Sequence, residues 1–234
     1  ENPEFLPIAI EKSSLENSLM PLKKITLFWI GRLVDFKYFI LEKLILDLER
    51  LVPNLSFSLK IIGDGPYLKN LNSLKSKVSY EISIEREIEN NKLDDYLINN
   101  CSILFAMGTA ALEGAKLGIP TILLDISYKR ISQVYNYRWL FERDGMTLGE
   151  NIKDVPLDSS NEDSLELRIK EYLENFKEIS SKTLKYFENN HNLENTSSEL
   201  LKKIDNSTSQ WGKIKKSKFT SRGIVYNFYK YLKR

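Results

Sequence analysis

Cysteine is almost absent, Cys101 being the only one in 234 residues. A lone thiol makes no internal disulfide and offers a metal no second thiolate, so nothing in the chain demands an oxidising compartment. Long apolar runs are missing as well. None reaches the roughly 18 to 20 residues that a helix needs to cross a bilayer, which excludes a membrane-spanning helix. The opening residues Glu1-Asn2-Pro3-Glu4 have neither the basic start nor the apolar stretch of a secretory leader, and they read as a fragment boundary. A cytoplasmic protein is the simplest expectation. The Gly-x-Gly-x-x-Gly turn that seats a dinucleotide pyrophosphate is absent too, which argues against a dehydrogenase. There is no Asp-x-Asp pair for a metal-bound diphosphate; the nearest approach, Asp47-Leu48-Glu49, falls in a helical pattern, and no metal site is expected. The single histidine, His191, stands in Asn189-Asn190-His191-Asn192, where a surface or helix-capping role is expected rather than catalysis.

What is present suffices for a folded domain. The chain is 42% hydrophobic and 11% aromatic, enough apolar surface to offset the entropy lost on folding. Its length suits one α/β domain with a helical tail better than two full domains. The net charge of +2 conceals an asymmetry: residues 211–234 hold eight of the 34 basic residues and none of the 32 acidic ones, so they carry +8 and the rest −6.

Strand and helix patterns alternate along the first half. Residues 25–30 form an apolar run ending at Gly31, and residues 36–51 repeat apolar side chains at helical spacing before Pro53. Residues 57–62 are a second run, cut by Gly63-Asp64-Gly65-Pro66, and 67–74 can form a short helix. Strands are expected over 78–84, 101–106 and 121–124, with helices over 93–98 and from Gly108-Thr109 to Leu117. Beyond Asp125 the pattern predicts helices over 165–186 and 193–204 and no further strand. The aromatic residues Tyr135, Tyr137 and Trp139, with Arg138, fit packing better than a ligand or lipid surface. Such alternation implies a mostly parallel sheet covered on both faces, whose ligands sit at the carboxyl ends of the strands.

The loops at those ends carry the candidate chemistry. Gly31-Arg32 follows the first strand and Lys37 stands at the entrance to the next helix, so both cations are aimed where a helix start also favours an anion. Taken alone, the two are equally well explained as solvated loop charges. Glycines at Gly63-Asp64-Gly65-Pro66 permit a tight turn and close backbone approach to a ligand. Gly108-Thr109 combines backbone amides, a hydroxyl and a helix start, which suits a diphosphate. Glu113, one turn later, can accept two hydrogen bonds from vicinal ribose hydroxyls, but taken alone it is better explained as an exposed helical acid or a cap partner for Thr109.

In order, these pieces resemble the C-terminal, donor-binding domain of bacterial-type glycosyltransferases with two Rossmann-like domains (GT-B), family 4 above all. The resemblance spans residues 25–125 and rests on Gly31-Arg32-Leu33 with Lys37, on Ile61-Ile62-Gly63-Asp64-Gly65-Pro66, and on Met107-Gly108-Thr109 through Glu113 to Gly118-Ile119-Pro120. It implies a Rossmann-like α/β fold with helices on both sheet faces and further C-terminal helices. It implies that Arg32, Lys37, Gly108 and Thr109 bind the diphosphate of a UDP- or GDP-linked sugar, that Glu113 binds the ribose, and that Gly31 and the Gly63 to Pro66 turn lie near the nucleotide. No cofactor is implied beyond this donor. The acceptor, a glycan or lipid-linked sugar, and any catalytic base would belong to an N-terminal domain not contained in this chain. One departure stands out: the place eight residues before Glu113, where many members carry a second glutamate, holds Phe105.

On this reading residues 1–24 are a linker or extension, 25–204 the nucleotide-sugar-binding domain, and 205–234 a polar hinge and basic tail. As a helix, the tail from Trp211 to Arg234 would place Ile224, Val225, Phe228 and Leu232 on one face and Arg222, Lys230, Lys233 and Arg234 on the other. It suits docking on protein or peripheral contact with an anionic inner-membrane surface equally; nucleic acid is not expected, because no recognised binding motif accompanies it. A non-catalytic nucleotide-binding or membrane-associated scaffold module is the alternative to the enzyme.

Overall fold

The computed structural model describes residues 6–15, 19–132, 134–143, 147–153 and 164–206. The element order is β1 (Ile25–Ile30), α1 (Asp35–Glu49), β2 (Phe57–Ile62), α2 (Leu68–Lys75), β3 (Glu81–Glu85), α3 (Asn90–Asn100), β4 (Ile103–Ala106), α4 (Thr109–Ala115), β5 (Thr121–Leu123), β6 (Arg138–Trp139), α5 (Leu165–Asn190) and α6 (Leu193–Asp205). The chain forms two compact units, Glu1–Thr196 and Ser197–Arg234. Of the second, the described part is the later portion of α6. The basic tail and most of the polar stretch before it, from residue 207 on, lie outside the described residues.

The expected Rossmann-like α/β sheet is present. Its order is β3-β2-β1-β4-β5-β6, and the first five strands pair in parallel. Strand side chains alternate between faces, and here both faces are buried. Leu27, Trp29, Leu59, Ile61, Ile103 and Phe105 enter one core with α1, α2 and the first half of α5. Phe28, Ile62, Leu104, Ala106 and Leu123 enter the other with α3, α4 and the end of α5. The near-continuous apolar runs of β1 and β4 follow from this double coverage. Gly114 lets α4 lie close on the sheet, since a Cβ there would stand 2.5 Å from Leu104 Cδ2.

Two expectations are corrected. A further strand does follow residue 125: β6 pairs antiparallel with β5 through Ile122↔Trp139 and Leu123↔Arg138. Two residues are too few to leave a periodic signal. His191 is a helix-capping residue of α5, as one expectation had it, but it is fully buried rather than on the surface. Its ring Nδ1 lies 2.7 Å from the Ile8 carbonyl, and the His191 backbone carbonyl accepts from Ile10 N–H, so it fastens the N-terminal segment to the end of α5. The aromatic residues after β5 do pack: Tyr135, Tyr137 and Trp139 are all buried, and Trp139 Nε1 donates to Glu171 at 2.7 Å.

Candidate functional site

The chain leaves β1 for β2 on one side and returns to its other side at β4, so the loops after β1 and β4 part at their carboxyl ends. Open α/β sheets bind ligands at such a switch point. Ile30 and Ala106 are register partners, and the Gly31-Arg32 loop and the Met107-Gly108-Thr109 loop therefore start side by side.

The Arg32 loop is held from below by the turn after β2. Leu33 N–H donates to the Asp64 carbonyl at 2.9 Å and Tyr67 N–H to the Leu33 carbonyl at 3.1 Å. A Cβ on Gly63 would fall 1.9 Å from the Gly31 carbonyl oxygen, and one on Gly65 2.4 Å from that of Leu33. These two glycines thus serve backbone-to-backbone packing of neighbouring loops. Asp64 closes its own turn by accepting Gly65 N–H at 2.7 Å and faces Arg86 at 3.8 Å, while Pro66 is exposed ahead of α2.

Arg32 is exposed and Lys37 half-buried in the first turn of α1. Lys37 Nζ lies 3.5 Å from the position a Cβ on Gly31 would take, so it reaches back over the loop. Burial and then the Arg32 guanidinium lower the Lys37 ammonium below its ordinary pKa. Neither cation forms an ion pair or side-chain hydrogen bond among the described residues. Two like charges near one another with no acid between them among the described residues, one of them half-buried, make a place that an anion suits.

Across the gap, Gly108 has φ +65°, a conformation that favours glycine, and its N–H donates to the Leu148 carbonyl at 2.7 Å. That amide is occupied. Thr109 and Ala110, which open α4, have backbone amides without a partner among the described residues, and Thr109 is exposed. Glu113 lies on the same helix, its Oε2 2.7 Å from Lys116 Nζ, which also meets Asp94 at 2.9 Å. Glu113 Oε1 has no hydrogen-bond or ion-pair partner among the described residues. Phe105 is inside β4, fully buried and edge-on to the Tyr137 ring at 6.4 Å, so its position offers nothing to a ligand.

One group that supports this site has no sequence signature. Asp125, two residues past β5, is 2% exposed and accepts from Arg143 at 2.5 Å, from the Tyr135 hydroxyl at 3.0 Å and from Glu150 N–H at 3.0 Å. It thereby fixes the segment whose Leu148 carbonyl holds Gly108. Among the described residues no three His, Cys, Asp or Glu side chains gather as metal ligands, and no helix is long and apolar enough to cross a membrane.

The sequence matches no protein-family model and no curated protein. Solved structures of glycosyltransferases share its fold. The lipopolysaccharide outer core galactosyltransferase WaaB superposes with TM-score 0.50 at 13% identity, over 84% of this chain and 54% of that one. TarM of S. aureus, solved with UDP, gives 0.52 at 15% identity over 84% and 39%. A glycosyltransferase from Rickettsia africae ESF-5 gives 0.50 at 16% over 81% and 50%. At such identities the likeness is one of fold, and the chain spans about half the length of these neighbours or less.

Proposed function

We propose that the chain is the nucleotide-sugar-binding, C-terminal half of a family 4-type glycosyltransferase that transfers a hexose from a UDP- or GDP-linked donor to a glycan or lipid-linked acceptor. The acceptor binds to a second domain, and the chain by itself binds donor without transferring sugar. The observation that carries this is the unpaired Arg32 and Lys37 at the β1/β4 switch point, beside the open amides of Thr109 and Ala110. Charge that develops on the departing diphosphate meets fixed cations and amides already aimed at it, which lowers the barrier without reorganisation. Glu113 takes the ribose hydroxyls through its open oxygen while Lys116 holds the other.

UDP is the first nucleotide to try, because the TarM neighbour was solved with it. Calorimetry of the full chain with UDP and GDP is expected to give saturable binding to one of them. Arg32→Ala combined with Glu113→Ala should abolish it; unchanged binding in that variant would overturn the site.

Peripheral attachment to an anionic membrane is favoured by a separate observation. On α6, Leu193, Leu200, Leu201 and Ile204 are 41%, 41%, 61% and 57% exposed, an apolar stripe leading into the basic tail.

A further inference from the structure

Beside the switch point the loop after β5 and the segment 151–153 enclose a cavity of about 170 Å³. That is below the roughly 300 Å³ at which whole small-molecule sites begin, so it suits one part of a ligand. Lys129, Arg130 and Lys153 line it, with no acidic side chain among its described lining residues. Arg130 is already engaged, its Nε and Nη2 each 2.9 Å from the Glu42 carboxylate. Lys129 and Lys153 have no acid partner among the described residues, and both are exposed. The floor is preformed: Ile126 N–H donates to the Glu150 carbonyl at 2.6 Å, Ile152 N–H to that of Ile126 at 2.9 Å, and Ser127 Oγ to that of Lys129 at 2.6 Å.

The cavity also connects to the cation pair. Ser127 N–H donates to the Phe36 carbonyl at 3.1 Å, immediately before Lys37. The Phe36 ring lies 5.9 Å from Lys37 Nζ on one hand and 6.0 Å from the Tyr128 ring on the other. Tyr128 is 57% exposed, leaving a flat aromatic surface at the cavity mouth. An aromatic platform suits the face of a sugar ring, and two unpaired ammonium groups suit an anion.

We propose that this cavity binds the charged group of an acidic sugar, a pyranose bearing a carboxylate or a phosphate, with its ring against Tyr128 and its anion between Lys129 and Lys153. That this sugar is a substrate rests on the donor-half reading above; the binding site itself does not. The test is nuclear magnetic resonance titration of the isotope-labelled full chain with glucuronic acid, glucose 6-phosphate, glucose and inorganic phosphate, each with and without UDP. One or both acidic sugars should shift the amides of residues 127–131 and 151–153 saturably, and which of them does so identifies the anion. Glucose should shift them far less, and Lys129→Ser with Lys153→Ser should weaken the effect at least fivefold while UDP still shifts residues 31–37. Equal response to glucose, phosphate alone binding as tightly as either acidic sugar, or no response at all overturns the proposal. Acidic-sugar binding with no response to UDP, nor to GDP titrated in its place, would retain the cavity and defeat the donor reading, so the two failures are separable.

Discussion

A half-buried ammonium beside a guanidinium, with no carboxylate paired to either among the described residues, is a free-energy cost that a bound anion removes. Lys37 is in that position, held below its ordinary pKa by burial first and by Arg32 second. A diphosphate favours the charged form, so binding should be flat on the neutral side and weaken as pH rises through the depressed Lys37 value. In Arg32→Ala one of the two depressing causes is gone, and the alkaline loss of affinity should move to higher pH. Calorimetry from neutral to alkaline pH measures both effects; an unmoved profile would dissociate Lys37 from Arg32. At neutral pH the same substitution removes a charged hydrogen bond worth about 1.5–3 kcal/mol, or roughly ten- to hundredfold in affinity. Asp125 poses the opposite case, a buried carboxylate with every partner in place. Asp125→Ala leaves Arg143, only 5% exposed in its side chain, with Glu150 at 3.4 Å as its remaining acidic partner. Removing one partner of a buried pair costs up to about 3–5 kcal/mol, and urea denaturation should show a loss no larger than that.

Elements place these residues, and they do so through contacts of very different legibility. The strands and helices of the first half follow from apolar runs and glycine breaks, because a doubly covered parallel sheet needs near-continuous hydrophobic strands. Arg32 and Lys37 were legible for the same reason, standing where such a strand meets its helix. Other features left no local trace. β6 has two residues, and the partners of Asp125 lie 10, 18 and 25 positions away in sequence. The glycines of the turn after β2 were visible, but their role was not, since it depends on a neighbouring loop 32 residues earlier. Gly63→Ala sets a Cβ against the Gly31 carbonyl and must push the Arg32 loop aside. Overpacking of this kind costs about 1–3 kcal/mol, and the variant is expected to lose both thermal stability and UDP affinity, whereas loss of stability alone would separate the turn from the site.

The N-terminal segment shows how one buried ring can tie an element down. The Ile8 carbonyl only accepts, so His191 Nδ1 carries a proton, as it does in both the neutral and the charged ring. Burial lowers its pKa. The unfolded chain therefore takes up a proton first as pH falls: the His191 contribution is full above the unfolded value of about 6.5 and is lost below it as pH descends toward the folded value. His191→Gln should flatten the stability curve over that window. An unaltered slope in chemical denaturation would show that another group titrates there.

At the scale of the whole molecule, charge concentrates toward one end of the sequence. Residues 1–210 carry −6 and residues 211–234 carry +8, and α6 ahead of them bears four exposed Leu and Ile side chains. Near an anionic bilayer each Lys or Arg contributes about 1 kcal/mol, screened over a Debye length, and apolar side chains add burial that salt does not screen. The two contributions can be separated. Flotation with vesicles containing phosphatidylglycerol should recover the full chain at low salt and less of it as salt rises, and vesicles of phosphatidylcholine alone should recover little. Leu200→Glu with Ile204→Glu should weaken flotation even at low salt, and removal of residues 211–234 should abolish it. If truncation leaves flotation unchanged, or if the full chain never floats, the tail serves docking on protein, and its loss should then show as a fall in thermal stability.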